Sequence, residues 1–217
     1  MTDLSKQRFI RRLRISGLML LGVALASAAF AEKAARQKVV LCLGDSLTEG
    51  YGLAEDQAFP AVLEARLHAQ GRKDVRVVNA GISGSTSASA VSRLRWQMRA
   101  KPDILILELG ANDGLRGVSI EDTRKNLAAA ITMAKQQRVV VLLAGMQMPP
   151  NYGPEYTRDF GRVFHELAEE LEVALIPFFL EGVAGQPKLN LPDGIHPTAE
   201  GYRIVVENLL PHLLPLL

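Results

Sequence analysis

Five residues in four separate stretches have the types and the order for nucleophilic chemistry. Ser46 stands in Gly44-Asp45-Ser46-Leu47, directly after an apolar run. A serine hydroxyl is a poor nucleophile until a base takes its proton. Histidine is the usual base because its charge changes near neutral pH. His196 stands in Asp193-Gly194-Ile195-His196-Pro197, three residues from a carboxylate that could hold its imidazole in one tautomer. An attacked carbonyl also needs hydrogen-bond donors for its developing negative charge. The candidates are the backbone N–H groups of Ser46 and Gly84 and the side-chain amide of Asn112. Each piece alone has a plainer reading as a turn: Gly-Asp-Ser, Ser83-Gly84-Ser85, Asn112-Asp113-Gly114 and Asp193-Gly194 all suit loops.

The elements that must position these residues are legible in the pattern. Short apolar runs at residues 39–43, 75–79, 104–109, 139–145 and 173–176 read as strands. Helical patterns fall near 59–70, 87–99, 120–137 and 156–170, with a last helix over 198–210. Alternation of the two, with strands apolar on both faces, predicts a parallel sheet covered by helices on both sides. In such a sheet ligands bind beyond the carboxyl ends of the strands. The Ser46, Gly84 and Asn112 turns follow the first, second and third strands, so they should share one rim. Glu108 lies inside an apolar strand, where a carboxylate needs a partner, and is read as a structural hydrogen-bonding residue. Asp45 and Asp113 are expected to brace loops. His68, His165 and His212 fall in helices, as surface or packing residues.

The net charge of +2 conceals a division. Residues 1–31 hold Lys6, Arg8, Arg11, Arg12 and Arg14 against Asp3, a surplus of four, so residues 32–217 carry −2. That remainder presents no general basic surface for nucleic acid. The basic start, the apolar stretch 15–29 and the small-x-small site Ala29-Phe30-Ala31 read as a secretory signal cleaved after Ala31. The alternative is an uncleaved anchor. The apolar stretch is short for a span, which needs ~20 residues, so no stable membrane span is expected after leader cleavage. Residues 32–217 are then one domain. Cys42, the only cysteine, sits in an apolar strand and reads as a buried, inert thiol.

The four blocks together resemble the SGNH hydrolases, also called the GDSL family. Ser46, Gly84, Asn112, and Asp193 with His196 match that family's four blocks in order, and the resemblance spans residues 38–217. Glu108-Leu109-Gly110-Ala111-Asn112-Asp113-Gly114-Leu115-Arg116-Gly117, Pro149-Pro150-Asn151-Tyr152-Gly153 and Pro177-Phe178-Phe179 are similar to the bacterial periplasmic thioesterase I, lysophospholipase L1 and arylesterase group. Ala111 and Ser85 depart from it, where a glycine and an aspartate are common. The resemblance implies a flavodoxin-like α/β/α sandwich on a five-stranded parallel sheet. It implies a Ser46–His196–Asp193 triad, an oxyanion hole of Ser46, Gly84 and Asn112, and no metal or organic cofactor.

The expected activity is hydrolysis of carboxylic esters, lysophospholipids and acyl thioesters through an acyl-enzyme, by a monomer acting on small molecules. The apolar loop 145–156, with Met146, Met148, Pro149 and Tyr152, should line the acyl groove, opposite Leu115. A leader would place Ser46 outside the cytoplasm, where acyl-CoA is scarce, which favours esters over thioesters. A carbohydrate O-acetyl esterase and a non-catalytic lipid- or carbohydrate-binding relative remain the alternatives.

Overall fold

A computed structural model describes residues 37–217. Its strands are β1 (Lys38–Gly44), β2 (Val75–Gly81), β3 (Ile104–Glu108), β4 (Val140–Ala144) and β5 (Ala174–Ile176). All four neighbouring pairs are parallel, in the order β2-β1-β3-β4-β5. That is the doubly wound order with a switch point between β1 and β3. β1 and β3 are apolar runs because helices cover both of their faces: Val40 through Leu43 and Ile104 through Leu107 are fully buried.

The helices are α1 (Ser46–Glu49), α2 (Phe59–Ala69), α3 (Ala90–Gln97), α4 (Ala111–Leu115), α5 (Ile120–Gln136), α6 (Pro154–Glu170) and α7 (Ala199–Leu213). α2 packs against α7, while α5 packs against α3 and α6, giving the two helical layers of an α/β/α sandwich. Ser119 caps α5 by accepting from Asp122 N–H at 3.3 Å, and Thr198 caps α7 by accepting from Gly201 N–H at 3.2 Å. The expected last helix, 198–210, continues through Pro211 to Leu213. A proline this close to the end removes only one helical hydrogen bond, and burial of Leu209, Leu210 and Leu213 keeps the turn in place. The expected helix over 87–99 opens and closes as 3₁₀ turns, Ser87–Ser89 and Met98–Ala100, around α3.

The sheet register explains why three loops meet. Gly44 pairs with Gly81 of β2 on one side and with Glu108 of β3 on the other. The chain therefore leaves β1, β2 and β3 level with one another, and the turns carrying Ser46, Gly84 and Asn112 start side by side. Gly44 has to be glycine: a Cβ there would lie 1.8 Å from Thr48 Oγ1 and 2.3 Å from Glu108 Oε2. The expected leader, residues 1–31, lies outside the described residues. Among the described residues no helix is long and apolar enough to cross a membrane.

Candidate active site

Ser46 is the first residue of α1, and Asp45 caps that helix by accepting from Leu47 N–H at 3.0 Å. The abrupt strand-to-helix turn lifts Ser46 above the sheet edge. His196 arrives from the other end of the chain. Its loop is pinned by hydrogen bonds from Leu191 N–H to His196 C=O, 2.7 Å, and from Thr198 N–H to Leu189 C=O, 2.8 Å. His196 Nε2 stands 2.8 Å from Ser46 Oγ, and its Nδ1 stands 2.8 Å from Asp193 Oδ2. A carboxylate can only accept here, so Nδ1 carries the proton and Nε2 is left to accept from the serine hydroxyl.

Asp193 does two jobs with its two oxygens. Oδ2 takes the imidazole, and Oδ1 accepts from the backbone N–H groups of Ile195, 3.0 Å, and His196, 3.1 Å. The Asp-x-x-His spacing works because one turn brings both ends of the histidine back to the same carboxylate. Partial burial pushes the Asp193 carboxyl up, but the hydrogen bonds from the His196 ring and the two backbone N–H groups outweigh it and hold the carboxyl below its ordinary value. Tyr51 covers the imidazole, with ring centroids 4.5 Å apart.

Asn112, in the first turn of α4, has its amide held at both ends. Nδ2 donates to Asp45 Oδ2 at 2.9 Å, and Oδ1 accepts from Arg116 Nη2 at 3.4 Å. One N–H of Nδ2 is left over. Gly84 adopts φ +74, a conformation open to glycine at little cost, and a Cβ there would come within 3.3 Å of Arg116 Nη2. Its loop is clamped to α1: Glu49 Oε2 accepts from Ser83 N–H at 2.7 Å and also from the Ser83 hydroxyl.

A buried polar layer supports this arrangement. Glu108 Oε2 accepts from Asp45 N–H, 3.2 Å, and from Thr48 Oγ1, 2.6 Å, so it grips the turn on both sides of Ser46. Arg93 Nη2 donates to the carbonyls of Gly44, at 2.8 Å, and Ala80. Burial raises the Asp45 carboxyl to about 6 against the hydrogen bonds from Leu47 and Asn112, and burial with the Asp45 charge raises Glu108 well above its ordinary value. Asp113 faces away from the cavity, accepting from Ser87 N–H at 2.8 Å and from the Ser87 hydroxyl, which ties α4 to the start of α3. Burial likewise pushes the Cys42 thiol up, so the thiol is poorly suited to reaction.

The open face of the site is a cavity of about 600 Å³, a size that suits a small organic ligand. Ser46, Gly84, Asn112 and His196 line it together with Leu115, Met146, Met148, Pro149 and Phe178.

Comparison with known proteins turns this geometry into a family assignment. The model of the GDSL-like lipase/acylhydrolase family matches residues 42–204. The chain belongs to that family. It is 43% identical over 200 residues to esterase TesA of Pseudomonas aeruginosa, covering 92% of this chain and 98% of that one. It is 35% identical over 185 residues to thioesterase 1/protease 1/lysophospholipase L1 of Escherichia coli K12, covering 85% and 87%. A crystal structure of TesA superposes with a TM-score of 0.80 at 44% identity, covering 83% of this chain and all of that one.

Within this GDSL-family fold, Ser46, Gly84, Asn112 and His196 line one cavity together with Leu115, Met146, Met148 and Pro149, and Asp193 holds the His196 ring at Nδ1. Tyr152 does not line the cavity, contrary to expectation. Its hydroxyl donates to the Leu115 carbonyl at 3.3 Å and its ring stacks on Tyr156, so it braces the loop from behind. Tyr51 and Glu49 carried no role in the sequence, and Arg116 stood there only within the motif that runs from Glu108 to Gly117. Tyr51 follows Ser46 by five positions, and Arg116 follows Asn112 by one helical turn. Those short offsets were the available signal, and both neighbours were already candidates.

Proposed function

We propose that this chain hydrolyses carboxylic esters through an acyl-enzyme on Ser46, with His196 as general base and then general acid. The single observation that carries this reading is the continuous relay Ser46 Oγ–His196 Nε2 and His196 Nδ1–Asp193 Oδ2, 2.8 Å at each step.

His196 takes the Ser46 proton as Oγ attacks the carbonyl carbon. The free Nδ2–H of Asn112 and the backbone N–H groups of Ser46 and Gly84 receive the oxyanion. Asp193 stabilises the imidazolium without taking its proton. The imidazolium then protonates the departing alcohol or thiol, and water repeats the sequence on the acyl-enzyme. The leaving oxygen and the attacking oxygen thus share one base.

The apolar walls Leu115, Met146, Met148 and Phe178 favour an acyl chain over a bare acetyl group, which supports lipid or aryl esters rather than acetylated sugars. The names of the relatives, an esterase and a thioesterase with lysophospholipase, support esters and thioesters as the carbonyl targets. All five reacting and stabilising residues come from one chain, so a monomer is sufficient. Residues 1–31 serve in this reading as an export signal that delivers the domain to the periplasm or the medium.

Covalent labelling with a fluorophosphonate tests the nucleophile directly. The reading expects one label per chain, mapped to Ser46. A protein that stays unlabelled, or that labels elsewhere, overturns it.

A further inference from the structure

The charges of residues 32–217 are unevenly spread. From Val75 to Pro102 the chain holds Arg76, Arg93, Arg95, Arg99 and Lys101 and no acid. That surplus of five stands against −2 for residues 32–217 as a whole, which leaves −7 on the rest of them. Arg93 turns inward, to the Gly44 and Ala80 carbonyls. Arg95 and Arg99 do not. Ala90 and Leu94 bury one side of α3 against the core, so Ser92, Arg95 and Trp96, with Arg99 in the 3₁₀ turn that follows, form an exposed stripe at helical spacing. Trp96 is the only tryptophan of the chain, and at 63% it is the most exposed large apolar side chain among the described residues. The Arg99 guanidinium carbon lies 3.2 Å from the centre of its ring. Among the described residues neither Arg95 nor Arg99 joins an ion pair.

We infer that this face of α3 docks on a bilayer of anionic phospholipid. An indole has an apolar body and one N–H, which suits the boundary between headgroups and acyl chains better than it suits bulk water. Arg95 and Arg99 flank it with charge complementary to lipid phosphates. A guanidinium lying flat on an indole keeps its edge donors for phosphate oxygens, so the Trp96–Arg99 stack binds as a unit. The lack of acids from Val75 to Pro102 matters because a carboxylate beside the arginines would be repelled by the same surface. The −7 elsewhere argues for a flat partner that meets this one face, and against a long polyanion such as nucleic acid that would run on over acidic surface. The contact is peripheral, and no covalent step is involved. None of these residues lines the cavity, so the inference stands apart from the ester-hydrolase reading.

Because Trp96 is the sole tryptophan, its emission in the full chain reports this face alone. Vesicles of phosphatidylglycerol and phosphatidylcholine in equal parts should shift that emission to the blue and shield it from quenching by acrylamide. Vesicles of phosphatidylcholine alone should do neither, and raised salt should weaken the response. Replacing both arginines, Arg95→Gln with Arg99→Gln, should weaken the affinity for the anionic vesicles roughly 25-fold, about fivefold for each cation at an anionic surface. Circular dichroism should not change, because both side chains are exposed. An emission unmoved by the anionic vesicles overturns the inference. So does an equal response to phosphatidylcholine alone, or a response undiminished in the folded double variant. A shift produced by a single-stranded oligonucleotide and not by vesicles would overturn it as well and assign the face to nucleic acid.

Discussion

Asp45 and Asn112 are joined by one hydrogen bond, Nδ2 to Oδ2 at 2.9 Å, that commits one of the two amide protons and leaves the other free on a side chain that lines the cavity. Arg116 on Oδ1 settles which end of the amide is which. The Asp45 side chain thus holds the Asn112 amide with one oxygen and caps the helix that begins at Ser46 with the other.

Asp45→Asn tests that relationship. The new amide presents N–H₂ to either Leu47 N–H or Asn112 Nδ2, because both carboxylate oxygens are accepting. We expect kcat to fall about 10- to 100-fold, the worth of a hydrogen bond to a charged group, with KM little changed. Steady-state kinetics on p-nitrophenyl butyrate would show it. A change confined to KM would contradict the assignment.

Asn112→Ala removes the donor itself. The expected loss is about 10²- to 10³-fold in kcat, with a lowered melting temperature because the buried Asp45 loses the amide it accepts from. Retention of near-native kcat would show that the two backbone N–H groups suffice.

Asp193→Asn should be more severe in kcat and silent in folding. Oδ1 can go on accepting from Ile195 and His196, so the turn survives, but an amide N–H₂ opposite Nδ1 favours the tautomer with its proton on Nε2. That form cannot accept from Ser46. A kcat loss of about 10³- to 10⁴-fold at neutral pH is expected, with circular dichroism unchanged. A loss under tenfold would mean the carboxylate does not set the tautomer.

Glu108→Gln separates support from chemistry through pH. Burial and the Asp45 charge hold the Glu108 proton more tightly when the chain is folded than when it is unfolded. A raised carboxyl makes the folded state the better proton binder, so native stability falls as pH rises above the unfolded value near 4.5. The slope is at most about 1.4 kcal/mol per pH unit. The amide variant has no such proton and its oxygen can still accept from Asp45 N–H and Thr48 Oγ1. Its melting temperature relative to the native protein should therefore climb between pH 5 and pH 8. A difference that is flat or falls with pH would mean Glu108 is ionised throughout.

Much of this was legible in the sequence, for identifiable reasons. β1 and β3 announced themselves because strands buried on both faces must be apolar throughout, and the exits of β1, β2 and β3 carried the small and polar residues that chemistry requires. The short helices α1 and α4 were not visible as helices, since four and five residues carry no periodicity. The clamp from Glu49 to Ser83 and the stacking of Tyr51 on His196 join residues 34 and 145 positions apart, and no local pattern encodes such pairs. Tyr152 was misplaced for a related reason. An aromatic in an apolar loop can face the cavity or brace the loop from behind, and only the position of the Leu115 carbonyl decides between them.

The central claim is that Ser46 is the nucleophile of an ester hydrolase. Its most direct test is the turnover of p-nitrophenyl butyrate by Ser46→Ala alongside the melting temperature of the same preparation. Hydrolysis should drop to the solution background while the melting temperature stays within a few degrees of native, since the side chain lost is a single hydroxyl at a cavity surface. Turnover near the native rate in that folded variant would contradict the account.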